Sequence, residues 1–153
     1  LNNWKTATDT ESGISFIYPD PLVVSPSTNK QTTYIKLVEW PPRFKSEDIS
    51  FICNVRNFTE DLPTTIERRT IGEREYCVTE ASEGAAGSVY TTYTYAFPLE
   101  YMLPGSEDKT ASLTFTLQFP QCGNYDDPEK TDCEHERLSF DIDGLVNTMI
   151  RSR

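Results

Sequence analysis

The sequence predicts an α+β domain: an antiparallel sheet of about six to eight strands with a C-terminal helix packed on one face. Three stretches carry that expectation. In Thr110–Phe119, Ala111, Leu113, Phe115, Leu117 and Phe119 alternate without a break against Thr110, Ser112, Thr114, Thr116 and Gln118. Side chains on a strand point to opposite faces with period two, so this is a strand with one apolar and one hydroxyl-bearing face. A sheet wet on one side is normally antiparallel. The second stretch repeats the pattern: Val89, Thr91, Tyr93, Tyr95 and Phe97 form one face, and Ser88, Tyr90, Thr92, Thr94 and Ala96 the other. A short connection containing Pro104-Gly105 separates the two, so they are expected as antiparallel neighbours.

The third stretch is the tail from Ser139. Ile142, Leu145, Val146, Met149 and Ile150 recur at i, i+3, i+4, i+7 and i+8, one apolar stripe on a helix. Asp141 is the expected N-cap, with Phe140 and Leu145 stapling the entry. Asp143, Arg151 and Arg153 suit the helix dipole. Gly144 weakens the helix by roughly 1 kcal/mol relative to alanine, so packing on the sheet has to hold it.

The other elements follow in chain order. Ile14, Phe16 and Tyr18 alternate with Ser15 and Ile17 in a strand that Pro19 and Pro21 stop. Leu22-Val23-Val24 is a short apolar run, and Ser25–Thr32 a polar loop. Thr33–Glu39 reads as a strand, with Ile35 and Leu37 on one face, Lys36 on the other, and Trp40-Pro41-Pro42 ending it. Phe44–Asp48 reads as one helical turn. Ile49, Phe51, Cys53 and Val55 share a face, which points Cys53 into the core. The polar connection after it holds the sequon pattern Asn57-Phe58-Thr59, which chance also produces. Ile66–Ile71 and Arg74–Thr79 form a hairpin around Gly72-Glu73. Tyr76 and Val78 then face the core and Cys77 faces outward, in conflict with an inward Cys53 unless a strand is bulged or twisted. Gly84-Ala85-Ala86-Gly87-Ser88 lacks both the GxGxxG and the Walker pattern and reads as a turn.

Composition narrows the function classes. The 153 residues suit one domain, here residues 1–153, and 12% aromatics argues against disorder. No apolar run approaches the roughly 20 residues of a membrane span. Leu1-Asn2-Asn3-Trp4 has neither the basic start nor the apolar middle of a signal peptide, so if the protein is exported its leader or anchor is expected upstream. A formal net charge of −10 repels phosphate backbones and anionic lipid, which disfavours nucleic acid as a partner. Four cysteines form an even set that reads as two disulfides in an oxidising compartment. Cys122 and Cys133 pair by proximity, and Cys53 and Cys77 by elimination.

Candidate chemistry is sparse. The densest ionisable cluster, Cys122–Glu136, carries Asp126, Asp127, Glu129, Asp132, Glu134 and Glu136 against Lys130. Its carboxylates Asp126, Asp127, Glu129 and Asp132 are candidate ligands for Ca²⁺, which takes about six to eight hard oxygens. The EF-hand pattern is absent, however, and a solvated acidic tip on a disulfide-closed loop is the stronger reading. His135 with Cys122 and Cys133 matches no standard zinc spacing, and no nucleophile motif such as GxSxG accompanies it. No catalytic residue is singled out and no cofactor is implied. The exposed faces of the two long strands are more suggestive. Tyr90, Thr92 and Thr94 with Thr114, Thr116 and Gln118 offer a flat hydroxyl-and-aromatic surface for a glycan, peptide or protein. A covered or ordinary wet sheet face is the competing reading, since threonine favours strands.

Trp4-Lys5-Thr6, Gly13-Ile14-Ser15-Phe16 and Tyr18-Pro19 resemble the entry of PsbP/Mog1-like domains, small secreted or lipid-anchored bacterial proteins. The Thr70–Tyr76 hairpin and the Phe140–Ile150 helix fit the same pattern. Asp20-Pro21-Leu22 stands where a tryptophan often follows in that group, and no functional residue is carried over. The resemblance implies an α+β sandwich with a binding or accessory role in the cell envelope. The leading expectation is therefore a non-catalytic envelope domain. An inhibitor presenting the acidic 122–133 loop to a basic secreted enzyme comes second. A hydrolase comes third, and would need a pocket holding a carboxylate or His135 with a displaced pKa.

Overall fold

The computed structural model describes residues 4–19, 34–53 and 64–150. Its α+β architecture follows from the two alternating stretches. They become strands β6 (Ser88–Pro98) and β7 (Thr110–Pro120), paired antiparallel with Tyr93 opposite Phe115 and Thr92 opposite Thr116. That register lays Tyr93 on Phe115 and Tyr95 on Leu113 on one face, and Thr92 on Thr116 and Thr94 on Thr114 on the other. Strands β3 (Lys36–Glu47), β4 (Thr64–Ile71) and β5 (Arg74–Ala85) complete a five-stranded antiparallel sheet in the order β3-β7-β6-β5-β4. Strands β1 (Lys5–Thr8) and β2 (Ser15–Tyr18) form a separate two-stranded hairpin. Two helices follow, α1 (Glu129–Ser139) and α2 (Ile142–Met149). The expected single sheet is thus divided in two, and the expected terminal helix is the second of a pair.

Strands β4 and β5 join through Gly72 at φ +54° and Glu73 at φ +70°. Two left-handed residues make the turn whose twist matches a hairpin, and glycine takes the first of them without steric cost.

The core lies on the inner face of the large sheet. Tyr76, Val78, Tyr95, Phe97, Leu113, Phe115 and Leu117 are fully buried there. Helix α2 seals the layer with Val146, Met149 and Ile150, and the small hairpin adds Ile14 and Phe16. Phe115 is the hub: Tyr93 and Tyr95 stack on it at 5.6 and 6.1 Å, and Trp40 meets it edge-on at 5.7 Å. Burying each such side chain contributes on the order of 1.5–3 kcal/mol before entropy is counted.

Both ends of α2 are closed. Asp141 Oδ1 accepts a hydrogen bond from Gly144 N at 3.0 Å. A Cβ on Gly144 would stand 2.2 Å from Asp141 Oδ2, so the glycine makes room for the cap that starts the helix. At the other end, Arg74 donates to the carbonyls of Asn147 and Ile150. This Arg74 contact does what Arg151 and Arg153 were expected to do; both of those lie outside the described residues.

Several expectations are corrected. Trp40-Pro41-Pro42 does not end its strand, and Phe44–Asp48 is not a helical turn, because β3 continues to Glu47. The strand is an edge strand, where proline is tolerated, and the prolines sit in a bulge between the Glu39–Thr116 and Arg43–Thr114 pairs. Phe44 stacks on Phe16 at 6.2 Å. Ile49, Phe51 and Cys53 do not share a core-facing strand: they form no strand, Ile49 is 57% exposed and Cys53 is half-buried. The segment instead crosses the outer face of the sheet, where Thr110 Oγ1 donates to Ile49 O at 2.7 Å. Cys53 therefore meets the outward Cys77 in a disulfide, which removes the conflict. Leu22-Val23-Val24, the Ser25–Thr32 loop, Val55 and the Asn57 sequon lie outside the described residues.

Candidate functional site

The outer face of the sheet carries all six residues of the expected binding surface, but Thr116 is buried at 5% exposure and the other five are half-buried, so the face is less open than expected. Tyr90 stands opposite Gln118, Thr92 opposite Thr116, and Thr94 opposite Thr114. Two of the pairs are joined by their own side chains, Thr92 to Thr116 at 2.9 Å and Thr94 to Thr114 at 3.1 Å, while Gln118 Nε2 donates to Ser88 Oγ at 3.0 Å. One row has a direction. Thr116 Oγ1 donates to Glu39 Oε1 at 3.0 Å, and a hydroxyl has a single proton, so Thr92 must be the donor to Thr116. Thr92 is thereby left with lone pairs only, an acceptor on a half-exposed surface. Arg43 and Glu39 flank the rows from β3, 3.5 Å apart. Residues 49–53 cross this face, held by Thr110 at one end and by the Cys53–Cys77 disulfide at the other.

The acidic segment departs from the expected loop tip. Its second half is helix α1, whose first turn is tied by Asp127, the residue before the N-cap Pro128: Oδ1 accepts from Thr131 N at 3.2 Å and Thr131 Oγ1 at 2.6 Å. Those bonds hold the Asp127 carboxyl below its usual pKa. Cys133 bonds to Cys122, as expected from their proximity. Asp126, Asp127, Glu129 and Asp132 do not converge. Among the described residues, no three His, Cys, Asp or Glu side chains gather where a metal ion could be held. His135 is exposed on α1.

Glu136, counted with the solvated acids from sequence, is buried at 1% exposure. Its Oε2 accepts the backbone N–H groups of Tyr34 at 2.6 Å and Ile35 at 2.7 Å. A buried carboxylate is costly unless such donors satisfy it. One turn earlier on the same side of α1 lies the buried Cys133, and that spacing was the available signal that Glu136 also points inward.

A second polar cluster sits where the inner face meets β4. Arg69 Nη1 donates to Asp143 Oδ1 at 2.8 Å and Nη2 to Glu80 Oε2 at 3.2 Å, while Nε contacts Glu67. Tyr95 OH donates to the same Asp143 oxygen at 2.5 Å. Burial, reinforced by Asp143, pushes the Tyr95 phenol well above its ordinary pKa; burial also pushes Tyr93 well up and raises Tyr76. Charges pointing inward on an edge strand also discourage strand addition there. Asp143, read from sequence as a dipole partner, is thus mainly the tie between α2 and the sheet.

All four cysteines are bonded, the mark of an oxidising, extracytoplasmic environment. No described helix is long and apolar enough to cross a membrane. Compared with known proteins, the chain matches no family model, no curated protein and no solved structure.

Proposed function

We propose that this chain is a non-catalytic binding or accessory domain of the bacterial cell envelope, secreted, periplasmic or surface-anchored, whose ligand lies on the outer face of the five-stranded sheet. One observation carries the reading: Tyr90–Gln118, Thr92–Thr116 and Thr94–Thr114 stand in register on the polar face of the sheet, with Tyr90, Thr92, Thr94, Thr114 and Gln118 partly exposed. Side chains already held by mutual hydrogen bonds lose little entropy when a ligand arrives. The charge of −10 favours neutral or cationic partners, an envelope glycan, peptide or protein, over anionic surfaces. A PsbP/Mog1-like relationship agrees with this role.

Amide-shift mapping by NMR with soluble cell-wall saccharides, extended peptides and a cationic secreted hydrolase tests the reading. Shifts are expected along Tyr90–Thr94 and Thr114–Gln118, and the combined substitution Tyr90→Ala and Thr114→Val should weaken binding. Neutralising Asp126 and Asp132, which do not line the outer face, should leave it intact. The reverse pattern, with the acidic residues essential for holding the hydrolase and the sheet face silent, would replace this reading with that of an inhibitor.

A further inference from the structure

At the α1 end of the outer face lies a cleft of about 420 Å³, lined by Tyr34, Lys36, Ser88, Gln118, Tyr125 and Glu129. Its volume falls within the range of small-ligand pockets, about 300–1,000 Å³. We propose that it is a subsite for a neutral saccharide, with the tyrosine rings as stacking walls and Gln118 and Ser88 as the hydrogen-bonding floor. The proposal rests on the outer-face reading and names the ligand class for one end of that face.

Three features select this ligand. Tyr34 and Tyr125 are half-buried and meet edge-to-face with centroids 5.7 Å apart, so one ring braces the other as an apolar wall. Gln118 Nε2 donates to Ser88 Oγ, leaving the Gln118 carbonyl as an acceptor and the Ser88 proton as a donor. A sugar hydroxyl, which donates and accepts at once, fits such a pair. Lys36 and Glu129 are both exposed at the rim and carry opposite charges, so the mouth has no net preference for an anion or a cation.

The walls are also held in advance, and both hang from α1. Cys133 ties the helix to Cys122, and the turn from Cys122 carries Tyr125, whose N–H reaches Cys122 O at 3.1 Å. One helical turn further on, Glu136 grips the backbone N–H of Tyr34 itself. Neither the disulfide nor the buried carboxylate faces the ligand; each is a positioning device that lowers the entropy lost on binding.

The test uses the full chain with neutral di- and trisaccharides of glucose and of N-acetylglucosamine, followed by calorimetry and by NMR of the tyrosine rings. Binding is expected to shift the Tyr34, Tyr125 and Gln118 signals and to change little with salt, because no charge is neutralised. Tyr125→Ala should weaken it about tenfold, the scale of a lost ring contact, while Tyr125→Phe keeps most of it. Glu136→Gln, checked for folding by thermal unfolding, should weaken binding with Tyr125 intact. Three results would overturn the subsite: saccharide affinity unchanged in folded Tyr125→Ala, steep salt dependence, or no response to any neutral sugar. If peptides still shift Thr92, Thr94 and Thr114 in that last case, the subsite falls and the outer-face reading stands. If nothing shifts on either, both fall.

Discussion

Strands β6 and β7 present the same backbone register to two surfaces, and each surface uses it differently. On the inner side, Tyr93, Tyr95, Leu113, Phe115 and Leu117 are packed dry beneath α2 and the β1–β2 hairpin. On the outer side, threonine hydroxyls bond across the strands, with Glu39 taking the last proton of one row. The inner contacts are non-directional and scale with the area removed from water. The outer ones are directional, each with a net worth of about 0.5–1.5 kcal/mol, because water offers nearly as good a partner. The inner face therefore bears most of the stability, and the outer face can change at smaller cost.

The sharpest way to break that division is to truncate one residue on each side. Phe115→Ala removes the hub that Tyr93, Tyr95 and Trp40 touch, and urea unfolding should show a loss of about 3–5 kcal/mol. Thr114→Val, its neighbour on the opposite face, should cost less than about 1 kcal/mol. Comparable losses would mean that the hydroxyl rows are structural and that the outer face is no freer than the inner.

The Cys53–Cys77 bond lies on the outer side, so it tests whether that side contributes through the chain rather than through contacts. Replacing both cysteines with serine should lower stability by roughly 3 kcal/mol on the loop-entropy model. The inner tyrosine signals should be unchanged by NMR. A collapse of those signals would show that the crossing segment holds the inner face together.

Alkali sharpens the inner side. Burial raises the pKa of Tyr95, Tyr93 and Tyr76 above the ordinary value of 10. A folded-state pKa above the unfolded one adds stability that is complete below the unfolded value and lost as pH climbs toward the folded one. Unfolding free energies from urea titrations should hold steady through neutral pH and then fall above pH about 10, by up to about 1.4 kcal/mol per pH unit for each tyrosine. Tyr95→Phe should flatten part of that decline. An unaltered slope would remove Tyr95 from the account.

The smallest effect concerns the lid. In a solvent-exposed helix, Gly144→Ala would gain roughly 1 kcal/mol. Here the new methyl displaces the Asp141 carboxylate from the cap, so circular-dichroism melts should show no gain or a slight loss.

Much of the fold was legible because it rests on periodicity. The alternation in Ser88–Phe97 and Thr110–Phe119, the stripe from Ile142 to Ile150 and the turn at Gly72-Glu73 are local patterns, and each appears where its pattern put it. The outer-face residues followed with them, since period two assigns both faces at once. Reading failed where partners are distant. Trp40-Pro41-Pro42 looked like a strand end because proline lacks a donor, yet an edge bulge needs none there. Ile49, Phe51 and Cys53 alternate without belonging to a strand, because no neighbouring strand pairs with them. Glu136 was counted as solvated when its oxygen holds the backbone of Tyr34 and Ile35, roughly a hundred residues away in the chain.

By itself, the order of residues determined that Ser88–Phe97 and Thr110–Phe119 are extended, that the stripe from Ile142 is helical and which side of each is greasy, since those follow from geometry repeated every two or 3.6 residues. Only the folded molecule decided that Arg69, Tyr95 and Asp143 meet, that the Cys53 segment crosses the outer face, and that α1 draws Tyr34 toward Tyr125. Those contacts join residues far apart in the chain, and no local pattern encodes a distance closed only when the layers pack.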